Sequence, residues 1–423
     1  MDRVEAGMTL DPVHFDGIAE LADRIEYEGE ERDHRELARN VWENYLDPLF
    51  HDGTEILEPL SDLRRKRANI EELALEADQF GTMHGLDSGT INPQPFKNGL
   101  VVDVAHAAMS SSPSDLDLHG SRTIVKAVHT NDATTEFGTD WESYSEGSKR
   151  RIVHAPRRDD YERDIVHALA LYRAESRHAL DHADDVSDFL LLDGPVYPKG
   201  IIRWRDRGSI LPDLFEESDE VRTILQNYVE LVETFAERDV PLAGFVKNIS
   251  AKSIIRTLRA KGVNTPWVHD AAFFSQVLER GEYENGEYER FTDDMTLTNW
   301  FVSRAGSDAF FGSTEAARHV EREYAPEQYE LTFCVVYDPR RRLLFKIEAP
   351  RIFTEDETCR RRIERQLLKE IAISKGPPTV ITKADSLAQI GRNSTDSLIT
   401  SFERSFDTEL DRNYNDIRWG LDY

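Results

Sequence analysis

The sequence predicts an α/β protein: one mixed sheet flanked by helices, with a helical N-terminal extension. Three observations carry this. From about residue 79, short runs rich in Val, Leu and Ala alternate with stretches of helical period. Two runs near the C-terminal end flank a turn and read as a hairpin. The first 78 residues show mostly helical spacing. No internal repeat and no long Pro/Gly/Ser linker divide the chain. The expected organisation is a helical extension over 1–78, a core over 79–400 and a tail over 401–423.

In the extension, Leu37, Val41, Trp42, Tyr45 and Leu46 recur at helical spacing and stop before Pro48. Leu60, Leu63, Ile70 and Leu73 form a second stripe, and Pro59 ahead of it suits a first helical turn. Arg64, Arg65, Lys66 and Arg67 then read as a solvated face of that helix.

In the core, 99–108 and 123–129 read as strands, with a loop signal at 110–115 between them. Residues 132–158 are polar and aperiodic and read as a surface insertion. A helix follows over 160–185, with Ile165, Leu169, Tyr172 and Leu180 on one side. Residues 188–195 form a short buried strand, 219–237 a helix and 242–247 another strand. Helices are expected over 250–260 and from about 270. Residues 330–337 and 343–348 make the hairpin. A helix over 357–374 and one starting near 384 complete the core.

Composition bounds the function. The 423 residues carry 80 Asp+Glu against 52 Lys+Arg, a net charge of −28. An acidic chain is ordinarily repelled by nucleic acid. Yet its acids are dispersed, and only 12 of its bases are lysine. That pattern fits a cytoplasm of very high salt, where the Debye length falls to about 3 Å at 1 M and self-repulsion is screened. No apolar run approaches the roughly 20 residues of a membrane span. The acid-rich first 30 residues are unlike a secretory signal, so a cytoplasmic protein is expected. Two cysteines, Cys334 and Cys359, exclude a disulfide scaffold and a four-cysteine zinc site.

Phosphate-binding, dinucleotide-binding, serine-hydrolase and zincin motifs are absent. His106, His167, His178, His182, His269 and His319 are scattered and read as satisfied core or surface residues. What remains is carboxylates near apolar strands. Asp193 emerges where Gly194 and Pro195 break the Leu190–Leu192 run, and a buried strand end holds an acid in a fixed direction. Hard cations such as Mg²⁺ and Mn²⁺ want such oxygen ligands, and paired ions serve phosphodiester hydrolysis. An aspartate after a strand is as often only a turn former. Asp87, between Gly85 and Gly89, Glu175 on the 160–185 helix, and Asp385 are weaker taken singly. Local bases persist despite the net charge: 149–151, 157–158, 340–342 and above all Arg203-Trp204-Arg205-Asp206-Arg207. Guanidinium forks suit phosphate, and an indole can stack on a base. Pairing of these arginines with neighbouring acids is the competing reading.

The ordered set Gly85-Leu-Asp-Ser-Gly89, Tyr172-Arg-Ala-Glu-Ser176, Leu190-Leu-Leu-Asp-Gly-Pro195, Gly244-Phe-Val-Lys247, Phe345-Lys-Ile-Glu-Ala-Pro350 and Ala384-Asp-Ser-Leu-Ala388 resembles the NurA nuclease family, over about residues 80–392. The resemblance implies an RNase H-like core and a Mn²⁺-dependent DNA nuclease, with Mg²⁺ as the alternative ion. It implies 5′–3′ exonuclease and single-strand endonuclease activity on break ends, a homodimer, and work beside a HerA-type hexameric ATPase. The family's metal acids map to Asp87, Glu175 and Asp193. A later metal position, often histidine, falls near Asp385. Lys247 matches a basic position facing the scissile phosphate. The first motif departs from the usual Asp-Gly-Ser order, reading Asp87-Ser88-Gly89. That departure, with the absent histidine, is what supports the alternative of a catalytically inactive adaptor for a translocase or DNA ends.

Overall fold

The computed structural model describes residues 12–22, 31–132, 134–156, 161–284 and 287–412. At its centre, in spatial order, lie Thr123–His129, Val101–Ser112, Met83–Thr90, Leu190–Asp193 and Leu242–Val246. The first three pair antiparallel; the last two run parallel to Met83–Thr90. Parallel neighbours need a crossover. The helix Asp219–Glu237 supplies it between Leu190–Asp193 and Leu242–Val246. Burial on both faces explains why Leu190, Leu191 and Leu192 form an unbroken apolar run. The Leu331–Asp338 and Leu343–Pro350 hairpin extends the sheet beyond Leu242–Val246. The result is the mixed sheet flanked by helices that the sequence predicts.

Two helices cover opposite faces of the central strands. Asp103 on Val101–Ser112 meets His167 of the helix Glu162–Asp181, Nδ1 to Oδ2 at 2.8 Å. His106 and Ser110 contact the carbonyls of Ala388 and Val380 in the helix Thr379–Ala388, each at 2.6 Å. Odd and even positions of a strand point to opposite faces, so the two helices sandwich it.

Several elements differ from expectation. The helix Glu31–Tyr45 forms where its stripe predicts. Thr54–Pro59 and Arg65–Asn69 are strands, however, and only Ile70–Leu75 is helical. Pro59 ends a strand instead of opening a helix. Asn69 caps the short helix, accepting from the Glu71 and Glu72 amides. Tertiary pairing decides this: Arg65–Asn69 lies along Asp294–Thr298, a strand itself not legible in the sequence. The N-terminal segment therefore joins the sheet.

The supposed insertion contains Ser148–His154, which pairs parallel with Thr123–His129. Its run of bases hides a strand paired on both sides, since Glu142–Ser145 lies antiparallel along its other edge. Arg157 and Arg158 lie outside the described residues. At the other end, the helix Arg392–Phe406 runs past residue 400, and Phe402, Phe406 and Leu410 pack against the Phe96 cluster. Residues 401–412 are thus part of the folded core, not a tail. No helix among the described residues is long and apolar enough to cross a membrane.

Candidate active site

Met83–Thr90 escapes detection as a strand because glycine and aspartate are poor strand formers. Its glycines have a packing reason. Gly85, Asp87 and Gly89 share the face under the helix Thr379–Ala388. A Cβ on Gly85 would lie 2.5 Å from the Val380 carbonyl oxygen, and one on Gly89 1.9 Å from that of Ala388. The glycines let the helix backbone sit on the strand. Asp87 lies between them, with small Ala108 opposite on the next strand. Its Oδ1 accepts the Ser88 amide at 2.7 Å.

Leu192 is registered with Leu86, so Asp193 follows at the level of Asp87 on the neighbouring strand. Gly194 then turns the chain at φ +112°, and its amide reaches the Phe245 carbonyl at 3.0 Å. Lys247 follows the adjacent strand Leu242–Val246 and donates Nζ to Asp193 Oδ2 at 2.6 Å. Glu175 enters from the helix Glu162–Asp181 and accepts the Tyr228 hydroxyl at 3.1 Å. Asp385 stands exposed on Thr379–Ala388, near enough for its charge to act on Asp87, Asp193 and Lys247.

The electrostatics follow from crowding acids at a half-dry strand end. Burial, then the charge of Asp193, pushes the Asp87 carboxyl up to about 7, against the opposing Ser88 amide. Burial, then the charge of Asp87, pushes Glu175 up to about 8. Asp193 is raised by burial, with the Lys247 ammonium opposing. Lys247 is held above the ordinary lysine value: burial works against its charge, but the Asp193 bond and the other acids outweigh it. Protons and one ammonium therefore carry the compensation in this arrangement.

The acids converge only in part. Asp87 and Asp193 act on each other and Glu175 feels both, but no three His, Cys, Asp or Glu side chains among the described residues are gathered tightly enough to hold a metal ion as they stand. The donor chemistry nevertheless fits a hard divalent ion: oxygen ligands from three elements, each holding a proton above its ordinary pKa.

The segment 203–207 behaves differently from expectation. Trp204 is 2% exposed, inside the core, and so is unable to stack on a base. The sequence reads its indole as available because basic neighbours surround it, whereas a short 3-10 turn tucks the ring inward. Arg207 pairs with Asp164 at 2.8 Å, and Arg205 lies over the Phe310 ring at 5.3 Å. Arg203 is exposed, and its charge reaches Tyr172, one turn from Glu175.

The sequence reading missed the tyrosine frame. Tyr228 holds Glu175, and the Tyr172 hydroxyl accepts the Gly200 amide at 3.1 Å, tying the Asp193 loop to the Glu175 helix. Both tyrosines look like ordinary members of an apolar stripe. A buried ion network lies beside the site: Lys199 Nζ reaches Glu348 at 2.7 Å and Asp308 at 2.8 Å, and Lys346 reaches Glu348 at 2.6 Å. It pins the loop after Asp193 to the hairpin strand, which gives the Phe345–Pro350 motif a structural role.

A family model described as the NurA domain matches residues 81–390. No curated protein matches the sequence significantly. Among solved structures, the chain is similar to the NurA nuclease from Sulfolobus solfataricus, at 13% identity and a TM-score of 0.47, covering 94% of this chain and 98% of that one. It is also similar to NurA with manganese, at 11% identity, TM-score 0.39 and coverage of 92% and 98%. For NurA bound to dAMP and manganese the values are 12%, 0.39, 92% and 97%.

Proposed function

The chain belongs to the NurA family, whose domain model spans residues 81–390, and from that premise we propose that it is a divalent-metal-dependent DNA nuclease. The observation that carries the reading is the Asp87–Asp193 carboxyl pair on adjacent strands with the Lys247 ammonium 2.6 Å from Asp193.

Asp87 and Asp193, with Glu175 and Asp385 around them, are the residues to hold a divalent ion. Such an ion, once bound, supplies an activated water and neutralises the leaving oxygen of a phosphodiester. The chain's own groups do the rest. Lys247 keeps its proton and sets a positive charge at the edge of the acids, where a phosphate oxygen would otherwise be repelled. Tyr228 holds Glu175 in one rotamer, and Tyr172 fixes the loop that aims Asp193. The helix Thr379–Ala388, seated on Gly85 and Gly89, closes one side against water.

The finer assignment is a 5′–3′ exonuclease and single-strand endonuclease acting on duplex ends. It would work as a homodimer in a salt-rich cytoplasm, driven by a HerA-type hexameric ATPase. The absence of a phosphate-binding loop supports a separate motor. Hydrolysis of single-stranded and end-exposed DNA, assayed at multimolar KCl with and without Mn²⁺, tests the activity. Co-purification with a hexameric ATPase tests the partnership; a solitary monomer counts against it.

The second reading, an inactive adaptor, draws on Lys247 sitting at Asp193 and on the absence of a three-acid cluster among the described residues. Thermal unfolding separates the two. Carboxyls raised to about 7 and about 8 favour the folded state while protonated. Their contribution is full below the unfolded values near 4 and is lost as pH rises through 7–8. A cation that replaces those protons should raise the melting temperature by several degrees at pH 8 and hardly at pH 5. The adaptor reading expects the same small shift at both.

A further inference from the structure

Outside the acidic cluster, the most singular feature of this −28 chain is a basic cleft of about 830 Å³. It is lined by the edge strand Arg65–Asn69, which among the described residues pairs only with Asp294–Thr298. Arg39 comes from the helix Glu31–Tyr45 and Arg280 from the turn after the helix Asp270–Leu278. Tyr283 and Phe291, 48% and 39% exposed, line the same cleft.

The charges do not cancel there. Glu279 is already satisfied by Arg35, Arg290 and the Tyr337 hydroxyl, each at 2.7 Å. Lys66 is taken by Glu364 at 2.7 Å. Asp294 answers Arg280 at 3.1 Å and Arg67 at 3.9 Å. Glu36 also lines the cleft. Among the described residues no carboxylate stands at ion-pair distance from Arg39 or Arg65; Glu43 acts on Arg65 from farther off. Arg65 instead donates to the Val277 carbonyl at 3.0 Å. Burial, and then the like charge of Arg39, with Arg280 adding to it, lowers the Arg65 pKa. Guanidiniums crowded without an anion, in a protein with acids to spare, point to an anion supplied from outside. Exposed aromatics among them narrow its class, because a polyanion with flat rings is what arginine and tyrosine recognise together.

We propose that this cleft binds single-stranded DNA, with phosphates on Arg39, Arg65, Arg67 and Arg280 and a base against Tyr283 or Phe291. The identity of the anion rests on the nuclease reading. Five strand steps separate Arg65–Asn69 from Leu190–Asp193, about 24 Å along the sheet at roughly 4.8 Å per step. The cleft is thus a holding site apart from the acids, reached only by a strand of several nucleotides.

The test is fluorescence anisotropy of labelled oligo(dT)20 with the full chain, without divalent metal, over a KCl series. Arg39→Ala/Arg65→Ala is expected to bind about tenfold more weakly. The slope of log affinity against log salt should shrink by about 1.4, two phosphates at about 0.7 each. Hydrolysis of a dinucleotide, too short to reach both places, and the melting temperature should be unchanged. Tyr283→Ala is expected to weaken binding about tenfold with the slope retained. Unchanged affinity and slope in the double variant would overturn the proposal and leave the arginines as protection of a sheet edge. Displacement of oligo(dT)20 by an oligoglutamate of equal charge, with Tyr283→Ala indifferent, would overturn it in favour of an acidic protein partner. A wild type that hydrolyses nothing but shows the expected binding losses contradicts only the nuclease reading.

Discussion

Asp193→Ala is expected to remove divalent-dependent DNA degradation, a fall of at least about a hundredfold, while the protein stays folded. Three things are lost with this carboxylate: the partner of the Lys247 ammonium, the like charge that raises Asp87, and the oxygen ligand proposed at the strand end. Folding should survive because Leu190–Leu192 make the core contacts and Asp193 sits where the strand gives way to Gly194. The substitution also relieves Asp87 of a like charge, so its pKa should fall. Asp193→Asn, equal in size, should lose activity as well. Gel assays with and without Mn²⁺, paired with circular dichroism, read the result. A folded variant with undiminished degradation would remove Asp193 from the chemistry.

Gly89→Ala is expected to cost about 3 kcal/mol or more of stability, lowering the melting temperature by roughly 3 °C in a chain of this length. Its new methyl would lie 1.9 Å from the Ala388 carbonyl oxygen, and that neighbour is helix backbone, which has no side-chain rotamer to change. The helix Thr379–Ala388 would have to lift, carrying Asp385 with it and breaking the contact to His106. Gly85→Ala, 2.5 Å from the Val380 oxygen, should behave alike. Gly376→Ala, whose nearest neighbour is 4.0 Å away, is the matched control and should be nearly neutral. Denaturant unfolding of the three variants measures this. A cost below about 1 kcal/mol at Gly89 would mean the helix is not seated as described.

The sequence was most informative where one local pattern governs the element. The Leu190–Leu192 run, the stripes of Glu162–Asp181 and Asp219–Glu237, and the hairpin at 331–350 all follow burial with a fixed period. It was least informative where a distant partner decides. Arg65–Asn69 is a strand because Asp294–Thr298 lies beside it, and a run of Arg and Lys carries no sign of that. Met83–Thr90 is central because its glycines admit a helix nearly 300 residues later in the chain. In the candidate site, Asp193 was legible as an acid ending an apolar run, whereas Asp87, Glu175, Asp385 and Lys247 stood out only through the ordered resemblance to the family. Tyr172 and Tyr228 were not legible, since a tyrosine on a buried stripe looks the same whether or not its hydroxyl meets a carboxylate. Trp204 was misread for the converse reason: its neighbours are exposed, but a single turn is enough to bury one ring among them.

The central claim is that Asp87 and Asp193 form a divalent-cation site with the protons of raised carboxyls as placeholders. Calorimetric titration of the full chain with Mn²⁺ at about pH 6.5, where the raised carboxyl of Asp87 still holds its proton, tests it most directly, in wild type and in Asp87→Asn and Asp193→Asn. The account predicts saturable binding with proton release in the wild type and loss of that binding in both variants. Equal Mn²⁺ binding by all three proteins would contradict it.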